Sequence, residues 1–318
     1  MSHLPGGQLN FDGRVAIVTG AGGQQSLGRA YAHLLGARGA KVVVNDLGLG
    51  PDGRGTQRAR ADIVAQEIVD AGGEAVADTH SVAESDSARA LIQTALDAWG
   101  RVDIVVNNAG LNWTARFDEL SESDLQIIVD THFMGAIWVN RAAWPQMKRQ
   151  QYGRIVNIGS GAMFGELYTP VYSAAKAGVY GLTRALAVEG LDEGIRVNAV
   201  LPFAWTPAVE ESMVDSVFRR SLIPNRPEQV APTIAYLAHE DCAFTGKALV
   251  SGAGRVAEMF ASTTTGYVES ELTPEAVRDH LDAILDRGQA THVTEADAAT
   301  RRGITPKPYA VQPEEKSA

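Results

Sequence analysis

Tyr172 and Lys176, in the string "YSAAK", stand four residues apart at the start of a small-residue segment. On a helix that spacing puts both side chains on one face. A cation beside a phenol stabilises the phenolate and lowers its pKa, so this pair can take and return a proton near neutral pH. Taken bare, the pair is more often a surface Tyr and Lys on one helix face, and the surrounding residues are what favour a site. Upstream, Ser160 follows the apolar run of "RIVNIGSGA", where its hydroxyl would meet a substrate oxygen beside Tyr172.

A second set of residues suits a nucleotide. In "VAIVTGAGGQQSLGRA" a β-branched run breaks into Gly20, Gly22, Gly23 and Gly28, and Ala30, Leu34, Leu35 and Ala37 then follow at helical spacing. A strand, a glycine turn and a helix N-terminus make an anion site, because the first-turn amides are unpaired and the helix dipole is positive there. The spacing is wider than G-x-G-x-x-G, so a pyrophosphate site and a ligand-free turn both fit. Asp46 closes "VVVNDLG" about 20 residues further on, where a carboxylate bonds both ribose hydroxyls and repels a 2′-phosphate, selecting NAD over NADP. "NNAG", with Asn108, Ala109 and Gly110, is either an exit where small residues let backbone approach a flat cofactor or a structural turn.

These residues need a scaffold. Apolar runs at 15–18, 42–44, 75–77, 104–106, 155–158, 197–200 and 248–250 alternate with helical patterns. Each run lacks the polar alternation of a half-exposed sheet, and the expected fold is α/β, a doubly wound seven-stranded parallel sheet of Rossmann type. One catalytic domain is expected over 1–255, with a short helical lid at 203–227 and a loop at "GLGPDGRG". The strand pattern ends after Val250. Residues 256–318 read as an extension: one docked helix in "LTPEAVRDHLDAILDRG", capped by Thr273 and stopped by Gly288, then an extended proline-rich tail.

Composition narrows the function classes. The 318 residues carry a net charge of −10, which argues against nucleic-acid or anionic-membrane partners. No apolar run approaches the roughly 20 residues that span a bilayer. Cys242 is the single cysteine, clustered Cys and His ligands are absent, and "MSHLPGGQLNFDGR" lacks a signal-peptide core. A cytoplasmic protein with no metal is the expectation.

Taken in order, the glycine turn after "VAIVTG", Asp46, "NNAG", Ser160, "YSAAK" and "RVNAVLP" resemble the short-chain dehydrogenase/reductase family. "VVVNDLG", "NRAAWPQMKRQQYGRI" and the late "GAG…LTPEAV" pattern are similar to its hydroxyacyl-CoA dehydrogenase branch, extending the likeness to about residue 290. The resemblance implies oxidation of a secondary alcohol: Tyr172 takes the proton, Ser160 orients the oxygen, and Lys176 binds nicotinamide ribose and tunes Tyr172. It implies NAD contacts at Gly20, Gly22, Ser26, Leu27, Gly28, Asp46, Ser81, Val82, Asn108, Ala109, Gly110, Tyr172, Lys176, Pro202 and Thr206. It also implies a homodimer or homotetramer, for which Ala175, Gly178 and Gly181 offer a close-packing helix face.

Several positions depart from the family pattern. Ser26 replaces the middle glycine, and its hydroxyl is a candidate phosphate contact. His132, in "DTHFMG", replaces an asparagine that holds a relay water. It is either a proton relay with a pKa near neutrality or a satisfied core histidine. His80 stands where an aspartate usually meets adenine, and Phe203 follows Pro202 where glycine is frequent, which crowds the nicotinamide pocket. Trp113, Phe164, Trp205, Met213 and Phe218 are lid or core residues that suit an acyl-CoA or a bulky hydrophobic alcohol. A broad carbonyl reductase and a non-catalytic dinucleotide-binding scaffold are the competing functions, the latter opposed by the joint presence of Ser160, Tyr172 and Lys176.

Overall fold

The computed structural model describes residues 7–49, 59–111, 114–212 and 217–292. The chain divides into two compact units, with the boundary between Met259 and Phe260. In the first, β1 (Val15–Thr19), β2 (Lys41–Asn45), β3 (Glu74–Asp78), β4 (Ile104–Asn107), β5 (Gly153–Ile158), β6 (Ile195–Phe203) and β7 (Ala248–Gly252) run parallel. The seven expected strands are all present. The sheet nevertheless has eight, in the order β3-β2-β1-β4-β5-β6-β7-β8, because β8 (Arg255–Met259) folds back antiparallel on β7.

The turn chemistry explains β8. Gly252 pairs with Arg255 across a two-residue loop in which Ala253 and Gly254 have φ of 52° and 69°. Two successive positive φ values match the right-handed twist of the flanking strands and close a tight hairpin. The expectation that strand structure stops after Val250 is therefore corrected.

Helices cover both faces of the sheet. α1 (Leu27–Ala37), α2 (Ala59–Asp70) and α9 (Ala231–Ala238) pack on one side, and α3 (Ser85–Trp99), α5 (Gly135–Gln150) and α6 (Pro170–Glu189) on the other. β1 shows why its sequence carries no polar alternation. Ala16 and Val18 enter the first core, Val15 and Ile17 the second, and all four are buried. Full burial of each large aliphatic side chain is worth about 1.5–3 kcal/mol.

Three local features set up the site. Beside β1 the sheet order reverses, with β2 on one flank and β4 on the other, which opens a crevice at the carboxyl ends of these strands. Before α5, α4 (Glu122–Val129) runs into a π turn at Asp130–Met134, so the expected central helix contains one widened turn, and His132 lies in it. β6 then leads into α7 (Pro207–Ser212) and α8 (Val217–Leu222), the short helices expected within 203–227.

Of the small residues on α6, Ala175 is buried and a Cβ on Gly178 would meet the Phe133 ring at 2.9 Å, so both serve the chain's own packing. Gly181 has open space around it.

The second unit differs from its expectation. Instead of one docked helix it has α10 (Pro274–Asp279) and α11 (Leu281–Leu285), beside a small hairpin of β9 (Ser262–Thr263) and β10 (Thr291–His292). His280 breaks the helix with φ −115° and ψ 23°. Its ring stacks on Tyr267 at 3.8 Å, and its Nδ1 lies 2.8 Å from the Ala276 carbonyl. Val277, Leu281 and Leu285, expected to form one apolar stripe, are exposed. The proline-rich tail lies outside the described residues, as does most of the "GLGPDGRG" loop.

Candidate active site

The glycine turn is held rigidly. Gly20 has φ +64°, and a Cβ there would fall 2.7 Å from the Ala109 Cα, so backbone meets backbone. Thr19, which sequence reasoning did not single out, ties the two segments together: its Oγ1 accepts from the Asn108 and Ala109 amides at 3.0 and 2.9 Å. Asn108 Nδ2 adds bonds to the Thr19 and Gly20 carbonyls. "NNAG" is thus both a strand exit and a staple on the turn.

Ser26 is the N-cap of α1, where its Oγ accepts from the Arg29 amide at 3.3 Å. The hydroxyl proton is still available to a phosphate. Gly28 lies behind the turn and does not line the cleft. A Cβ on it would sit 2.4 Å from the Gly20 carbonyl oxygen and 2.5 Å from Asn108 Nδ2, so its role is packing.

Asp46 Oδ2 accepts from the Gly22 amide at 2.8 Å and Oδ1 from the Gly48 amide at 2.7 Å. Each carboxylate oxygen keeps a second lone pair for a ribose hydroxyl. Next to it, Ser81 and Val82 line the cleft with His80. His80 Nδ1 lies 2.8 Å from Asp78, whose buried carboxylate also accepts from Asn45 and Thr94. Burial opposes ionisation of Asp78, yet these donors hold its pKa below the usual carboxylate range. Asp78 therefore fixes the His80 ring.

The proton-handling residues meet on the cleft floor. Ser160 leaves the end of β5, and its Oγ accepts from the Ala162 amide at 3.2 Å. Pro170 opens α6, which carries Tyr172 and Lys176. Lys176 Nζ donates to the Ile158 carbonyl at 2.7 Å and lies 5.6 Å from the centre of the Tyr172 ring. Burial lowers the lysine pKa to about 8.

The expected depression of the Tyr172 pKa is not found. Burial raises it, a hydrogen bond with Ser160 pulls it down, and the charge of Glu166 raises it further. Spacing puts Lys176 on the right face, but its ammonium is directed to the Ile158 carbonyl. In this state Tyr172 is a phenol at neutral pH.

A histidine titrating near neutrality is also corrected. His132 is buried, and desolvation together with the Lys176 charge pushes its pKa down to about 3. Its Nε2 lies 3.0 Å from the Leu111 amide and 2.8 Å from the Leu111 carbonyl, while Nδ1 has no partner. The ring meets Tyr172 edge-on at 5.0 Å. A small cavity of about 10 Å3 touches His132, Asn107 and Lys176.

Beneath these groups runs a polar chain missed in the sequence. Asn107 Nδ2 donates to Asn140 and Asn157 Oδ1 at 2.6 and 2.8 Å, and Asn157 Nδ2 donates to Thr183 at 3.0 Å. It joins β4 and β5 to α5 and α6. Asparagine is depleted in strands, so its recurrence at the ends of "IVVN" and "RIVNI" was the available signal.

One cleft of about 1310 Å3 contains Gly20, Gly22, Ser26, Leu27, Asp46, Ser81, Val82, Asn108, Ala109, Gly110, His132, Ser160, Tyr172, Lys176, Pro202 and Thr206. Gly28 is the single expected site residue that it leaves out. Phe164 and Phe203 line it too, together with the unforeseen Leu111, Glu166, Val209 and Leu222, whereas Trp205 does not. Trp113, Met213 and the Phe218 side chain lie outside the described residues.

Sheet order, glycine turn and cleft floor together define a dinucleotide-dependent oxidoreductase scaffold. The chain belongs to the short chain dehydrogenase family, whose pattern it matches over residues 14–216. Members of this family bind nicotinamide dinucleotides. It is 41% identical over 293 residues to the peroxisomal multifunctional enzyme type 2 of Drosophila melanogaster, covering 90% of this chain and 48% of that one. The solved full-length structure of that enzyme superposes with a TM-score of 0.73 at 34% identity, over 92% of this chain and 49% of that chain. A 3-oxoacyl-[acyl-carrier-protein] reductase from Synechocystis is 38% identical over 236 residues, 72% of this chain and 91% of that protein. The chain therefore spans about half the length of its multifunctional relative.

Proposed function

We propose that the protein is an NAD-dependent dehydrogenase interconverting a secondary alcohol and a ketone, with a 3-hydroxyacyl-CoA or a bulky, steroid-like alcohol as substrate. The observation that carries this reading is the meeting of Ser160, Tyr172 and Lys176 in one cleft with the glycine turn. The residues fit the cofactor: the turn is a cradle that side chains would fill, and Asp46 offers acceptors where a ribose would lie. A bound nicotinamide supplies the hydride acceptor. The carboxylate of Asp46 favours NAD over NADP.

The chain's own groups manage the proton. Ser160 holds the substrate oxygen against the Tyr172 hydroxyl, and Tyr172 takes the alcohol proton in oxidation or delivers it in reduction. Lys176 remains cationic at neutral pH and provides the charge that favours phenolate once Tyr172 must ionise. His132 acts as a neutral imidazole, with Nδ1 available to a water beside Lys176. Phe164, Phe203, Leu111 and Leu222 supply the apolar walls suited to such a substrate. The names of the multifunctional and acyl-carrier relatives support an acyl thioester.

We take the working unit to be a homodimer or homotetramer, which light scattering on the purified protein tests directly. We also propose a cytoplasmic location, which fractionation of the source cells tests.

The test is the initial rate of nicotinamide reduction with 3-hydroxyacyl-CoA esters and hydroxysteroids, using NAD and NADP in parallel across pH. Turnover with NAD, rising with pH because oxidation needs the ionised form of a tyrosine whose pKa is raised, is expected. Preference for NADP contradicts the role of Asp46. Turnover of neither class contradicts the substrate assignment.

A further inference from the structure

The cleft wall after Ser160 is built by a turn that holds one carboxylate, Glu166. Gly165 enters this turn with φ +97° and Tyr168 leaves it with φ +67°. The Glu166 carbonyl accepts from the Thr169 amide at 3.3 Å and from Thr169 Oγ1 at 3.0 Å, which fixes the turn to the start of the helix that carries Tyr172. Glu166 is exposed and lines the cleft, and it takes and gives no proton in the chemistry above, acting there only through its charge on Tyr172.

Among the described residues, the lysines and arginines of the cleft lie elsewhere. Arg29 and Arg60 stand at the glycine-turn end, and Lys176 is on the floor with its Nζ bonded to the Ile158 carbonyl. The other cleft-lining residues between Ser160 and Tyr172, Gly161, Ala162, Phe164, Gly165 and Thr169, are uncharged. A substrate held by Ser160 and Tyr172 brings the atoms next to its reacting carbon up to this wall. A free carboxylate there would meet the charge of Glu166, and among the described cleft-lining residues between Ser160 and Tyr172 there is no lysine or arginine to pair it; like charges brought together are disfavoured.

We propose that Glu166 sets the charge selectivity of the cleft, admitting hydroxyacyl substrates whose carboxyl is masked as a neutral ester or thioester and rejecting the corresponding free hydroxy acids. This rests on the dehydrogenase reading above. It assigns a specificity role to a residue outside the proton-handling set, and it implies that a thioester-forming reaction must precede this step when the source is a free acid.

A matched pair isolates the charge: 3-hydroxyoctanoate and its methyl ester, assayed with saturating NAD on the wild type, Glu166→Gln, Glu166→Lys and Glu166→Asp. The wild type should prefer the ester. Glu166→Gln should raise kcat/KM for the free acid about tenfold with the ester changed less than about threefold, and Glu166→Lys should go further. Glu166→Asp keeps the charge and should keep the preference. A second readout separates charge from shape. Tyr172 faces Lys176 on its own helix, neutral His132 on the π turn, and Glu166 on the wall, so removing the Glu166 charge should move the acidic limb of ester oxidation to lower pH.

An ester-to-acid ratio unchanged in Glu166→Gln and Glu166→Lys overturns the proposal while leaving the dehydrogenase reading standing. If the wild type oxidises neither the ester nor the CoA thioester, the hydroxyacyl assignment fails and the proposal falls with it, and inactivity toward hydroxysteroids as well would take the dehydrogenase reading down too.

Discussion

Tyr172→Phe should lower kcat for alcohol oxidation by about 10²–10⁴-fold, the usual contribution of a positioned acid–base group. At about 1.4 kcal/mol for each factor of ten, this is roughly 3–5 kcal/mol of barrier. The substitution removes the hydroxyl and keeps the ring, which meets His132 edge-on at 5.0 Å. NAD affinity, measured by calorimetry, should therefore stay within about twofold. The pH dependence supplies a further check, since the wild-type rise with pH should vanish along with the activity. A Tyr172→Phe enzyme that retains more than about a tenth of wild-type kcat would mean that another group moves the proton, and Ser160 and His132 are the neighbours that would then need testing.

Gly28→Ala should damage the cofactor end of the same cleft from a position that does not itself line it. The new methyl would stand 2.4 Å from the Gly20 carbonyl oxygen, 2.5 Å from Asn108 Nδ2 and 3.0 Å from the Ala21 Cα. These atoms belong to the turn and its staple, so backbone has to move. Overpacking of this kind costs about 1–3 kcal/mol. For a domain of this size it should lower Tm by roughly 2–4 °C per kcal/mol. Because the displaced turn is the anion cradle, NAD should bind at least about tenfold more weakly, a loss of about 1.4 kcal/mol. Wild-type NAD affinity in Gly28→Ala would contradict the assignment of this turn to the pyrophosphate.

Much of this architecture is legible in the amino-acid sequence because each signal is local. The seven parallel strands are short apolar runs whose alternate residues enter opposite cores, as Val15 to Val18 do. The glycine turn, Asp46 and "YSAAK" lie at fixed distances from those runs, so most of the expected site residues fall into a single cleft. Less was visible wherever side-chain direction or a change of helical register decides. The four-residue spacing correctly puts Tyr172 and Lys176 on one face, yet it cannot say that Nζ reaches the Ile158 carbonyl or that the phenol is buried, and burial raises the tyrosine pKa instead of lowering it.

His132 illustrates register. The π turn at Asp130–Met134 inserts a residue into the helical count, and burial of His132 there, with the Lys176 charge, drives its pKa to about 3, far from the neutral value that makes histidine a switch. β8 had a readable signal in "GAGR", a tight turn after an apolar strand, but its own residues are largely exposed and carry no apolar run. The break between the two short helices falls at His280, whose ring stacks on Tyr267, a contact between residues well separated in the chain.

The central claim is that this cleft moves a hydride from a secondary alcohol to the nicotinamide. The most direct test is label transfer. Purified protein would be incubated with NAD and a 3-hydroxyacyl-CoA carrying deuterium on the carbinol carbon, and the reduced cofactor examined by mass spectrometry. The account predicts one deuterium in the NADH, together with a slower initial rate than with unlabelled substrate. NADH free of deuterium, or ketone formed without any reduced cofactor, would contradict it.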